Sequence, residues 1–108
     1  MLITLYVGYQ SKIFEERTFI DFDNIMETAA RVIGSYTVVT GTGGYIGDLG
    51  NLAGDPIKRI EFSIEGRDPL DIETKLAMVD TTIENLKRLY KQDTVLKTTQ
   101  YNVLREAV

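Results

Sequence analysis

Residues 35–66, SYTVVTGTGGYIGDLGNLAGDPIKRIEFSIEG, decide how this chain folds. Residues 36–40 are β-branched and aromatic, which predicts a strand. Residues 57–65 alternate Ile60, Phe62 and Ile64 with Glu61, Ser63 and Glu65, and Gly66 follows; that two-residue period predicts a second strand with one buried face. Between them, Gly41, Gly43, Gly44, Gly47, Gly50 and Gly54 supply six of the nine glycines, and Asp48 and Asp55 are the only charged residues. The interval 41–56 therefore reads as a glycine-rich, electronegative loop joining two strands.

Upstream, residues 2–9 place Ile3, Leu5, Val7 and Tyr9 on one face and read as a largely buried first strand. Residues 10–18 are mostly polar and are expected to form a connection. Asp21 is a candidate cap, and Phe22, Ile25, Met26, Ala29, Val32 and Ile33 recur at helical spacing up to Gly34, which predicts a helix over 22–33. Downstream, Pro69 and Asp71 open a longer pattern, Ile72, Leu76, Val79, Ile83, Leu86 and Tyr90, which predicts a helix over 71–91. Residues 94–103 return to strand-forming types, and 104–108 trail off.

The order strand, helix, strand, strand, helix, strand implies an α+β fold. It is the split βαββαβ, ferredoxin-like sandwich, a four-stranded antiparallel sheet with two helices on one face. The other sheet face is expected to carry Tyr6, Val39, Lys97, Thr99 and either Glu61 or Phe62. Such a mixed surface suits another subunit better than open water. At 108 residues and 44% hydrophobic content the chain fits one domain, 1–108. A ligand site is more easily built between copies of so small a chain than inside one, so a homo-oligomer is expected.

Composition narrows the chemistry. Twelve basic and 16 acidic residues give a net charge of −4 with no run of like charge, which disfavours nucleic acid as a partner. With no cysteine and no histidine, thiol nucleophiles and the usual transition-metal ligands are missing. Neither a metal nor a cofactor is expected, and catalysis falls to carboxylates, hydroxyls, amides or the ligand itself. MLITLYVGYQ has no basic n-region or cleavage signal, and no apolar run approaches about 18–20 residues; a cytoplasmic chain with no membrane segment is expected.

Thr40-Gly41-Thr42-Gly43-Gly44-Tyr45-Ile46-Gly47 imitates the turn of dinucleotide-binding folds. That turn must lead directly into a helix whose N-terminal amides receive pyrophosphate. Here Asp48, Gly50, Gly54 and Pro56 follow instead, so the match is coincidental. A P-loop is excluded by the absence of its Gly-Lys-Ser/Thr ending. An acidic interval repels a triphosphate unless Lys58, Arg59 or a neighbouring subunit compensates, and it suits a neutral or cationic ligand better.

Within it, Gly43 and Gly44 give Tyr45 a mobile tether from which an aromatic ring can close over a ligand, and Asp48 can meet a positive group. Tyr45 serves equally well as an anchor of the loop to its own domain. Glu61 is a candidate base or counter-ion if its face is covered by a partner, and otherwise a solvated strand residue; Ser63 shares that face. Gln92 and Asp93 end the long helix, where cap and turn chemistry is ordinary but a site at the sheet edge is also within reach.

Taken with Gly43-Gly44-Tyr45, Glu61 and Gln92-Asp93-Thr94-Val95-Leu96, the layout resembles the PII-like proteins, and among them most the phage-encoded S-adenosylmethionine lyases. The resemblance implies a trimer with adenosine ligands in clefts between subunits. It also implies cleavage of S-adenosylmethionine to methylthioadenosine and homoserine lactone. In that scheme Glu61 and Tyr45 are catalytic, with Asp48 or Asp55 as alternatives for the carboxylate, and Gly43, Gly44, Asp48, Ser63, Gln92 and Asp93 bind ligand. The competing expectations are a non-catalytic PII-like sensor or sponge, favoured by the loop, and a structural phage protein.

Overall fold

The computed structural model describes residues 1–9, 16–46 and 52–101, and within them the side chains other than those of 16, 17, 45, 46, 52, 53 and 55. The elements are β1 (Leu2–Gly8), α1 (Glu16–Ile33), β2 (Tyr36–Ile46), β3 (Leu52–Ser63), α2 (Pro69–Tyr90) and β4 (Leu96–Gln100). The strands form one antiparallel sheet in the order β2-β3-β1-β4. Both expected βαβ halves are present.

The core follows from the two periodicities. Ile3, Leu5, Val7 and Tyr9 alternate on one side of β1, opposite Ile60, Phe62 and Ile64 on the strand that pairs with it, and all are buried. Phe22, Met26, Ala29 and Ile33 of α1 and Val79, Thr82, Leu86 and Tyr90 of α2 close over that side. Thr82 is admitted because its hydroxyl donates to the Met78 carbonyl at 2.8 Å. At the start of α2, Asp68 accepts the Asp71 N–H at 2.9 Å and Pro69 occupies a position that needs no donor. Its end is closed by Lys91 in the left-handed region (φ 53°) and by the Gln92 N–H donating to the Lys87 carbonyl at 2.9 Å. Gly34, at φ 116°, ends α1 and donates to the Ala30 carbonyl.

Three expectations are corrected. Helix α1 begins at Glu16, inside the stretch expected to be a connection, and Asp21 lies within it. Its first turns were hidden because Phe19 and Ile20 are 50% and 53% exposed, so the apolar stripe only becomes periodic at Phe22. Much of the expected loop 41–56 is strand. Thr42↔Pro56, Gly43↔Asp55, Gly44↔Gly54, Tyr45↔Ala53 and Ile46↔Leu52 pair as a ribbon beyond the end of β1, which stops at the level of Ile57. Residues 47–51 lie outside the described residues, and Asp48 with them.

The third correction concerns the open sheet face. Pairing of Ile3 with Thr99 and Leu5 with Lys97 puts both β4 residues on the helix side. There Lys97 meets Asp80 of α2 at 3.5 Å. Tyr6 and Val39 do face away from the helices, and of the pair Glu61 and Phe62 it is Glu61 that joins them, Phe62 being fully buried.

Candidate functional site

The base of the ribbon is fixed by one backbone hydrogen bond and approached by the α2–β4 turn. The Tyr9 N–H donates to the Pro56 carbonyl at 3.1 Å, which ties the end of β1 to the strand that leaves the sheet. The α2–β4 turn reaches the same place. Gln92 donates from Nε2 to the Tyr90 carbonyl at 3.2 Å, and its Oε1 stands 3.7 Å from where a Cβ on Gly8 would be. Gly8 follows Leu2, Thr4 and Tyr6 in the alternation of β1, so this oxygen lies toward the open sheet face. Anchored by one N–H, the carboxamide keeps an acceptor and a second donor side by side.

Along that face, Glu61 pairs with Thr4 on one side and Thr37 on the other. It is 27% exposed, and its Oε1 is 3.5 Å from Nε of Arg59, two residues back on the same strand. Arg59 in turn is flanked by Tyr6 and Val39. Ser63 is one step further on the same face, opposite Leu2. Val39 and Leu96 on this face are open to solvent in a single copy, 43% and 63% exposed.

The other side of the ribbon base holds a cation among rings. Lys58 Nζ lies 4.6 Å from the Phe22 ring centroid and 5.2 Å from that of Tyr9. Tyr90 completes the cluster, 5.5 Å from Tyr9 and 6.3 Å from Phe22. Loss of water holds Lys58 below the usual lysine range, against the opposing pull of Asp23. Burial raises the Tyr90 hydroxyl well above the ordinary tyrosine value, with the charges of Tyr9 and Asp23 adding to the shift.

The sequence candidates fall into separate places. Gln92 is at the ribbon base, with Asp93 exposed beside it. The Glu61–Thr4 pair is four residues along β1 from the Gly8–Ile57 pair, about 13 Å at strand rise. Gly43, Gly44 and the backbone of Tyr45 lie on the ribbon, and Tyr45 is eight residues beyond the Thr37–Glu61 pair, about 26 Å along the strand. Among the described candidates, one copy brings Glu61 and Ser63 together on the sheet face, Gln92 and Asp93 together at the ribbon base, and Gly43, Gly44 and Tyr45 together along the ribbon. Grooves of about 250 Å³ between α2 and β4 and about 470 Å³ at the start of α2 are lined by other residues, while one of about 330 Å³ at the end of α1 includes Ser63 beside Glu65 and Lys75. Among the described residues no cluster of three or more ligating side chains offers a metal site, and no helix is long and apolar enough to cross a membrane.

Lys58 and Arg59 entered the sequence reading only as cations that could offset the acidic interval, and the approach of Gln92 to Gly8 did not enter it. Arg59 and Lys58 were available from strand parity, since Arg59 shares the face of Glu61 and Lys58 that of Ile60. The approach of Gln92 to Gly8 spans most of the chain and leaves no local signal.

No family model matches the sequence, and no curated protein does either. Solved structures do match. A phage S-adenosylmethionine lyase in complex with S-methyl-5'-thioadenosine superposes with a TM-score of 0.54 at 15% identity, over 89% of this chain and 76% of that one. The periplasmic divalent cation tolerance protein CutA from Archaeoglobus fulgidus gives 0.53 at 6% identity, over 97% and 89%. CutA1 from Pyrococcus horikoshii gives 0.51 at 11% identity, over 96% and 88%. At such identities the likeness is one of fold, and it bears out the split βαββαβ, ferredoxin-like architecture expected from the order of elements.

Proposed function

We propose that this chain, on the fold it shares with a phage S-adenosylmethionine lyase, binds S-adenosylmethionine between copies of itself and cleaves it to methylthioadenosine and homoserine lactone. The observation that carries the reading is the open sheet face, which presents the Gln92 carboxamide at one end and the Glu61 carboxylate about 13 Å away. An adenine edge offers a donor beside an acceptor and so complements a glutamine amide. The amino-acid end carries an ammonium that a half-buried carboxylate can hold. A nucleoside joined to an amino acid has these two groups at its two ends.

The reaction asks little of the protein. One carboxylate oxygen of the ligand attacks the side-chain carbon bound to sulfur, the C–S bond breaks, and its electron pair stays on sulfur. Methylthioadenosine leaves neutral, homoserine lactone keeps the ammonium, and no proton moves. The sulfonium and carboxylate charges vanish together in the transition state. A carboxylate pressed against sulfur would then stabilise the bound substrate more than the transition state, so Glu61 is assigned to the ammonium. Holding the attacking oxygen in line and excluding water supplies the rest.

The exposed Val39 and Leu96 beside Tyr6 favour a face covered by further copies, and a trimer is the proposed assembly. Tyr45, too far along the ribbon to reach its own Glu61, then closes the site of a neighbour, while Gln92 and Glu61 of one copy hold the two ends of the ligand. Incubation with S-adenosylmethionine followed by chromatography tests the reading. Binding without product would identify a non-catalytic sponge, and light scattering showing a monomer at micromolar concentration would remove the shared cleft.

A further inference from the structure

We propose that Arg59 reads the carboxylate of the ligand's amino-acid end, so that Arg59 and Glu61 together recognise an α-amino-acid zwitterion. This rests on the adenosylmethionine reading above and extends it to how the site tells one adenosyl compound from another.

The two side chains sit two residues apart on one face of β3, Nε to Oε1 3.5 Å. That separation is longer than an N–H···O hydrogen bond, so the charges are neighbours whose donors and acceptors are largely unspent. Guanidinium offers five N–H groups, and with Nε turned toward Glu61 its terminal nitrogens are left for a second anion. As a contribution to folding the pair is weak, since Arg59 is 45% exposed and such ion pairs add little. An α-amino acid carries its ammonium and its carboxylate on one carbon. Laid antiparallel on the pair, it puts the ammonium at Glu61 and the carboxylate at Arg59, each replacing a long contact with a short one. Tyr6 and Val39 flank Arg59.

Chemistry restricts what Arg59 does for turnover. A guanidinium that held both carboxylate oxygens would blunt the nucleophile, so one oxygen is held and the other attacks. Arg59 then acts mainly on binding and selection, and its loss raises KM far more than it lowers kcat.

The test measures dissociation constants by titration calorimetry for S-adenosylmethionine, its decarboxylated analogue and methylthioadenosine, on the wild type, Arg59→Gln and Arg59→Lys. The wild type is expected to bind S-adenosylmethionine at least about tenfold more tightly than the decarboxylated analogue. Arg59→Gln should erase that ratio while leaving methylthioadenosine binding unchanged, and Arg59→Lys should restore part of it. If the wild type binds both sulfonium compounds equally, or Arg59→Gln keeps the ratio, the inference is overturned and the adenosyl reading stands. If the wild type binds none of the three, both fall.

Discussion

Gln92→Leu separates a ligand contact from a turn cap. The wild-type carboxamide spends one N–H on the Tyr90 carbonyl at 3.2 Å and points its oxygen at bare Gly8. Leucine keeps the approximate volume and removes both functions. Loss of one part-buried neutral hydrogen bond costs about 0.5–1.5 kcal/mol of stability, roughly a few degrees of Tm in a domain of this size. Loss of a paired donor and acceptor on an adenine edge costs about 1–3 kcal/mol of binding, which weakens methylthioadenosine by about 5- to 150-fold. The two effects are read separately, by thermal unfolding without ligand and by calorimetric titration of the folded variant. Gly8→Ala is the companion change. Its methyl would sit 3.7 Å from Gln92 Oε1, an ordinary contact that leaves the fold intact while crowding the open side of the amide. A Gln92→Leu protein that melts lower yet binds methylthioadenosine as the wild type does would refute the assignment and leave Gln92 as a cap.

Gly66→Ala should destabilise, because its Cβ would lie 2.5 Å from Ile72 Cγ1 and 3.2 Å from the Ile72 backbone nitrogen. A clash of about 1–3 kcal/mol exceeds the roughly 0.4–1 kcal/mol gained by stiffening the unfolded chain. Gly41→Ala, with nothing within 4 Å of its Cβ, should not lower the urea midpoint. The raised hydroxyl of Tyr90 makes stability fall with alkali: an unfolded tyrosine ionises near pH 10 while the folded one stays protonated. That contribution is complete below the unfolded value and drains away as pH climbs toward the folded one. The urea midpoint should therefore drop more between about pH 9 and about pH 11 in the wild type than in Tyr90→Phe, and an equal drop would contradict the burial argument.

What the sequence disclosed was the part written in local periodicity. Ile60, Phe62 and Ile64 are buried and Glu61 faces the other way, as their alternation requires. The Val79, Leu86 and Tyr90 stripe of α2 is buried as its spacing predicts. Lys97 and Thr99 were assigned to the wrong face because a five-residue edge strand takes its parity from its pairing with β1, and one step of register exchanges the faces. The ribbon was read as loop because glycine has low strand propensity, while the paired strand that holds Gly43 and Gly44 extended is ten or more residues away. The same limit hid the site: Gln92, Gly8, Glu61 and Arg59 become one surface only when β3 and the α2–β4 turn meet β1.

Turnover of S-adenosylmethionine by the purified protein, followed by chromatography alongside Glu61→Gln, tests the proposed lyase most directly. Methylthioadenosine and homoserine lactone should accumulate in equal amounts with the wild type, and that accumulation should be lost in the variant. Intact S-adenosylmethionine after prolonged incubation, with no thermal shift on adding it, would contradict the claim.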